Sequence, residues 1–367
     1  WRALEAIARP SFFTSWQWIG AFLAAVPTAH RPHLLRGVAQ GETVALALLG
    51  AGVTRRHGLV NSRAFYLNET GDPRFDSITI EHNGILAPAG REAAILYAAV
   101  AWFADRSDLA DELYLRGSLL RLPEAAVEDR GLGRSETTLP SYSLDLGLLS
   151  SSGGELSAVL SANARQQLRR ALRHFEADGP LQLSPAAETA EAQAFFAELK
   201  ALHCASWERR GRKHSFSNEF FEPFHRLLIE RSFAGGGTQL LKATAGSRVI
   251  GYLYNFRLGN RIYAYQSGFA EAGRHERPGI VTHALAIRHA FQSGAQVYDF
   301  MAGRNRLKES FSTHCEPMLW QIFQQPRMAF RLEHLGRRFK HTITARKPLS
   351  AMRRGDRASH LTRPVRG

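Results

Sequence analysis

Residues 262–308, IYAYQSGFAEAGRHERPGIVTHALAIRHAFQSGAQVYDFMAGRNRLK, decide the fold. The stretch reads as strand, loop, helix, strand, loop. The first strand runs from Ile262 to Gly268. The loop passes through Arg274, His275 and Arg277 to Pro278 and Gly279. A helix follows, because Ile280, Ala284, Ile287 and Phe291 recur at spacings of four, three and four. The second strand, Gln296 to Met301, carries Asp299 near its end, and Gly303, Arg304, Arg306 and Lys308 come after it. Gly279 at the helix start predicts bare backbone N–H groups at the positive end of the helix dipole, a geometry that suits a phosphate. With cations before it and an acid on the next strand, the segment reads as a place where an anionic donor meets a nucleophile.

Outward from this stretch, the second half predicts β, α, α, β, β, β, α, β, α, β from Leu181 onward. That order is an antiparallel meander followed by a parallel crossover, an α+β layout of mixed sheets flanked by helices. The crossover parts two strands at their ends and opens a cleft at the helix N-terminus. A helix at 162–177 precedes the meander, with Ser161 as N-cap and Gly179-Pro180 as the stop. Its Arg165, Arg169 and Arg173 make a basic stripe, either solvated or facing an anionic partner. The first half predicts a helix at 13–26, strands at 43–49, 65–67 and 77–80, a helix from Ile95 to about Asp105, and a strand at 112–116. Gly131, Gly133 and Pro140 read as loop, and Tyr142 to Leu146 as a further strand. Ser150 to Gly154 reads as a linker. The expected organisation is therefore 1–150, 155–326 and a basic helix and tail at 327–367.

The length of 367 residues favours two domains, and 44% apolar with 22% charged residues is globular composition. The apolar run nearest to a membrane span, Phe12 to Val26, is broken by Thr14, Ser15 and Gln17, which reads as a buried helix. The chain begins at Trp1, so an upstream segment and a targeting signal stay open. The two cysteines, Cys204 and Cys315, offer neither a disulfide framework nor metal-ligand spacing, and favour a reducing, cytoplasmic setting. Of the net charge of +14, +10 lies in residues 327–367, with 12 Lys and Arg against two acids. Such a tail suits an anionic membrane surface at the inner face, or a solvated terminus. It lacks the interleaved aromatics of a single-strand nucleic-acid binder.

The element order, with Leu160-Ser161, Arg165, Arg169 and Arg170, Leu202-His203, Trp207, Gly211, Pro278-Gly279, Gly294 and Tyr298-Asp299-Phe300 through Gly303 to Lys308, resembles the CelD/BcsL-type GNAT-like acyltransferases. These are relatives of the Fem-type aminoacyl transferases, which carry two GNAT-like halves. Ile80-Glu81-His82-Asn83-Gly84 looks like a recurring piece of the first half. The resemblance implies two GNAT-like domains in tandem, the first having lost donor binding and shaping the acceptor cleft. It also implies a loop before the helix that holds the pyrophosphate of coenzyme A through backbone amides. Two positions depart from the family pattern, Leu307 in place of a Tyr and Arg304-Asn305 in place of an acid. The Fem-type relatives accept aminoacyl-tRNA instead, so the donor stays open.

The candidate donor site is Arg274, Arg277 and the amides of Gly279, Ile280 and Val281, with Lys308 holding a carboxylate or phosphate; the other reading is a surface loop and an ordinary helix start. Asp299 is the first candidate base, its pKa raised by burial, or else a structural acid paired with Lys308 or Arg304. His203, four residues before Trp207, is the second candidate base or a half-buried helix histidine. Tyr265, on one strand face with Tyr263, is a candidate acid for the departing thiolate or an aromatic packing residue. Other chemistries fit badly. Gln266-Ser267-Gly268 lacks a nucleophile elbow's glycines, His283 and His289 are spaced wrongly for one metal, and Gly235-Gly236-Gly237 lacks the Lys-Ser/Thr of a phosphate loop.

The expected function is direct acyl transfer, with acyl-CoA as co-substrate, no metal, and a small-molecule or saccharide amine or hydroxyl as acceptor. By analogy, the expected setting is cell-surface polysaccharide or envelope biosynthesis. The alternatives are an aminoacyl-tRNA-dependent transferase and a non-catalytic scaffold on a membrane or polyanion.

Overall fold

The computed structural model describes residues 1–56, 60–271 and 276–330. The expected C-terminal tail from 331 onward and Arg274 lie outside the described residues. The helices are α1 (Arg2–Glu5), α2 (Trp16–Ala25), α3 (Pro73–Asp76), α4 (Glu92–Ala104), α5 (Glu124–Glu128), α6 (Ala162–Glu176), α7 (Thr189–Glu208), α8 (Phe221–Ser232), α9 (Pro278–Gln292) and α10 (Arg306–Phe311). The first-half strands are β1 (His33–Ala39), β2 (Glu42–Arg56), β3 (Val60–Leu67), β4 (Glu112–Ser118) and β5 (Gly133–Asp145). The second-half strands are β6 (Leu181–Pro185), β7 (Thr238–Ala245), β8 (Arg248–Leu258), β9 (Arg261–Phe269), β10 (Val297–Ala302) and β11 (His314–Gln324).

All eleven form one mixed sheet in the order β1-β2-β3-β4-β11-β5-β10-β9-β8-β7-β6. Each half contains a parallel pair joined by a crossover helix: β3-α4-β4 and β9-α9-β10. Each pair keeps register over three residues, Ala64–Tyr66 against Glu112–Tyr114 and Arg261–Tyr263 against Val297–Asp299, and then parts. The halves exchange strands. β5 lies between β10 and β11, and β11 lies between β4 and β5.

Two sequence expectations change. Residues 133–145 form one thirteen-residue strand straight through Pro140. Proline lacks an N–H and is disfavoured inside a sheet. Here its ladder partner is Pro317, which also lacks one, so neither strand leaves a donor unpaired at that position. The Pro140 carbonyl accepts from Gly303 N at 2.9 Å. Ser77 to Ile80 is not a strand: Thr79 takes φ 55°, which turns the chain toward the second half.

The second-half sheet is covered on both faces. α2, α7 and α8 lie on one, over a core that includes Phe12, Phe13, Trp18, Phe224 and Phe256. α6 and α9 lie on the other, where Leu168, Ile287, Tyr298 and Phe300 are buried. Ser161 caps α6 as expected, its Oγ accepting from Ala164 N at 3.3 Å. α4 buries Leu96, Val100 and Phe103 against β4 and β11 in a third core. Among the described residues, no helix is long and apolar enough to cross a membrane.

Candidate active site

Strand alternation on β10 sends Tyr298 and Phe300 into the α6–α9 core and Asp299 to the other face. Asp299 is 1% exposed. Its Oδ2 lies 2.7 Å from Arg261 Nη1 and 3.1 Å from His82 Nε2, and its Oδ1 accepts from Met301 N at 2.8 Å. Burial alone would raise this carboxyl. The His82 imidazole, the Arg261 guanidinium and the Met301 amide outweigh it and hold the group below the usual carboxylate range. The expectation of a raised pKa is thus corrected, and so is the expected pairing: the partners are His82 and Arg261, not Lys308 or Arg304.

Lys308 serves the same strand end differently. Its Nζ donates to the carbonyls of Met301 (3.2 Å) and Ala302 (2.7 Å). Glu81, from the first half, accepts from Ala302 N at 2.7 Å. These contacts clamp a bend in which Met301 has φ 67° and Gly303 φ 101°. Burial pushes the Glu81 carboxyl up and the Lys308 ammonium down, and each partly offsets the other's shift.

Beyond Tyr263, β9 loses β10 as a neighbour, and α7 covers the gap. His203 Nδ1 donates to the freed Ser267 carbonyl at 2.9 Å. That bond fixes the tautomer and leaves Nε2 as a buried acceptor without a partner among the described residues. Burial lowers the His203 pKa, so the ring is neutral. Tyr265 shares a core with Tyr263, but its hydroxyl is tied to the Ile78 carbonyl and lies 3.2 Å from His225 Nε2. Burial raises its pKa well above the ordinary tyrosine value. Tyr263 lines a cleft between the two halves.

The start of α9 departs from the expected cradle of three amides. Ile280 N (3.0 Å) and Val281 N (3.4 Å) both donate to the Arg277 carbonyl, and Pro278 has no N–H. Of the three expected amides, only that of Gly279 has no partner among the described residues. Arg277 itself is exposed and donates to Gln167 Oε1 at 2.9 Å. A pocket of about 400 Å³ opens here, lined by Arg209, Arg210, Phe269, Glu271, Glu276 and Gly279 among others. Glu271 lies 3.8 Å from Arg209, and Glu276 pairs with Arg248 and His174. The structure therefore places Asp299, Lys308 and the segment Glu81-His82 together, while Gly279 and Arg277 lie at the far end of β9 and His203 lies on the helix covering it. Glu81, His82 and Arg261 were missed as site residues. The one signal for the first two was the Ile80–Gly84 segment's likeness to a family piece.

Residues 162–309 match the family model described as acetyltransferase (GNAT) domain. No curated protein sequence matches the chain. Among solved structures, FemX is similar at TM-score 0.56 and 10% identity, over 88% of this chain and 94% of that one. The C-terminal domain of a candidate lysylphosphatidylglycerol synthetase from Agrobacterium fabrum is similar at TM-score 0.53 and 13% identity, over 93% of this chain and 94% of that one. The family match over the second half, and the likeness of fold across most of the chain, give this protein a GNAT-type acyltransferase fold.

Proposed function

We propose that the chain moves an acyl group from acyl-CoA to an amine or hydroxyl acceptor by direct attack. The observation that carries this reading is the opening between β9 and β10, three paired residues and then separate paths, with α9 starting at its mouth. A donor with its diphosphate beside Arg209, Arg210 and the Gly279 amide can run its thioester arm between the parted strands. Holding donor and acceptor in one cleft removes most of the entropic cost of their encounter. Main-chain N–H groups of β9 past Tyr263 are the oxyanion donors in this scheme. The acceptor is a small molecule or saccharide of cell-surface or envelope biosynthesis, and the basic C-terminal stretch meets an anionic membrane surface from the cytoplasmic side.

Calorimetric titration with coenzyme A, acyl-CoA and aminoacyl-tRNA tests the donor. Acyl-CoA is expected to bind, and the double variant Arg209→Ala/Arg210→Ala to bind it at least about tenfold more weakly, as loss of two charge-assisted contacts implies. Gly279 is a poor test position, because a Cβ there would meet the Phe269 ring at 3.2 Å whatever binds nearby. Binding of aminoacyl-tRNA alone, collapsing between about 50 and 200 mM salt, would replace acyl-CoA by a Fem-type donor.

A further inference from the structure

A second cleft, of about 370 Å³, lies between the two halves, lined by Arg9, Ser11, His82, Glu92, Arg261 and Tyr263 among others. His82 is the imidazole in it. Its side chain is 7% exposed, and Nε2 is turned inward, 3.1 Å from Asp299 Oδ2. The pair is a close charge contact, not a formed hydrogen bond: Nε2 has no hydrogen-bond partner among the described residues, and Asp299 Oδ2 is the acceptor beside it. His82 lines the cleft, and with Nε2 turned to Asp299 the nitrogen it can offer there is Nδ1, which makes no hydrogen bond among the described residues. The backbone is held hard around it. His82 has φ 49°, its carbonyl accepts from Ser11 Oγ at 2.7 Å, and Asn83 N donates to Gly117 O at 2.9 Å. The Tyr263 ring meets the imidazole edge to face at 5.3 Å. A strained, over-determined backbone that aims one imidazole nitrogen into a cleft and the other at a buried carboxylate is the arrangement of an oriented base.

We propose that His82, supplied by the first half, is the general base that deprotonates the acceptor, and that Asp299 is the positioning residue behind it. The proposal rests on the acyl-transfer reading. The acceptor nitrogen or oxygen attacks the thioester carbonyl, the new N–C or O–C bond forms, and the C–S bond breaks. The acceptor proton passes to His82 Nδ1 and then to the departing coenzyme A thiolate. Asp299 orients the ring so that Nδ1 is the nitrogen that takes the proton, and stabilises the imidazolium while it lasts. Arg261 shares the same carboxylate oxygen. Glu81 faces the dyad from the neighbouring loop residue and Lys308 from α10, with Arg9 and Glu92 across the cleft.

Two arms test this. Diethyl pyrocarbonate modification, mapped by mass spectrometry, reads the free nitrogen without any donor: His82 should react well before the buried His225, and an unreactive His82 overturns the proposal. Coenzyme A release from acetyl-CoA with a panel of amines, alcohols and water reads the chemistry. His82→Gln should lower kcat at least about 100-fold with donor affinity unchanged and abolish the rising limb of the pH–rate profile, and free imidazole should partly rescue His82→Ala. A kcat within about threefold of wild type, with the rising limb kept, also overturns it. If wild-type protein binds no acyl-CoA, the acyl-transfer reading fails while the modification arm still decides whether His82 offers a base to the cleft.

Discussion

Asp299 shows how a buried charge can be read two ways. Its place between Tyr298 and Phe300 predicts burial, and burial alone predicts a raised pKa. Arg261 and His82 reverse that outcome, and neither is near Asp299 in sequence. Replacing Asp299 by Asn leaves the Arg261 guanidinium and the imidazole without their anion, so urea denaturation at pH 7 should show a loss of about 3 kcal/mol. Because the folded pKa lies below the unfolded one, this contribution is fully present above about pH 3.9 and is lost as pH falls through the folded value. The stability gap between the variant and wild type should therefore narrow in acid; a gap unchanged down to pH 3 would contradict the assigned charge state. Glu69 behaves in the opposite sense. Burial pushes its carboxyl up to about 7, against the pull of Arg116 at 3.2 Å. Stability from this group is full below its unfolded pKa and falls as pH rises through about 7. Glu69→Gln should flatten that part of the stability profile, read as a smaller change in denaturation midpoint between pH 5 and pH 8 than wild type shows.

At the scale of elements, the order from Ala162 to Gln324 was legible because each piece carries its own local signal: the Ile280–Phe291 stripe, the Ser161 cap, the Gly179-Pro180 stop. Where the reading failed, a distant partner decided. Pro140 reads as loop until Pro317 is set opposite it, and Ser77 to Ile80 reads as strand until the turn at Thr79 carries the chain across to β9. The first-turn amides of α9 read as free because closure on the Arg277 carbonyl leaves no trace in sequence. Gly268 is another such position. It reads as an ordinary strand glycine, but a Cβ there would lie 2.3 Å from the Leu199 carbonyl oxygen of α7. Backbone meets backbone at that point, so neither side can yield cheaply. Gly268→Ala should cost about 1–3 kcal/mol by forcing α7 off β9. It should also loosen the His203–Ser267 bond next to it, seen as faster amide exchange in α7. A variant as stable as wild type would mean that the helix seat is softer than this packing implies.

At the scale of the whole molecule, the exchange of β5 and β11 sets how far the halves can act apart. Repeated patterns can be read along a chain, but the pairing of 133–143 with 314–324 spans most of it and has no local signature. β11 pairs with β5 along all eleven of its residues, and β10 takes its other neighbour from β5 as well. A fragment of residues 155–330 keeps the whole matched GNAT region. It loses β5, and with it the strand between β10 and β11. Two strands would then expose unpaired edges at the centre of the sheet, next to Asp299, and such edges template aggregation. The fragment loses His82 and Glu81 too, so the carboxylate of Asp299 keeps only Arg261 and the amide of Met301 among its present partners. Expressed alone, it should be insoluble or bind hydrophobic dyes without a sharp thermal transition. Expressed together with residues 1–154, it should be recovered as a soluble complex that unfolds in one step, because each half again supplies the strand the other lacks. A soluble monomeric fragment with its own cooperative transition would show instead that the second half closes its sheet unaided, and that the first half contributes the acceptor cleft and not the fold.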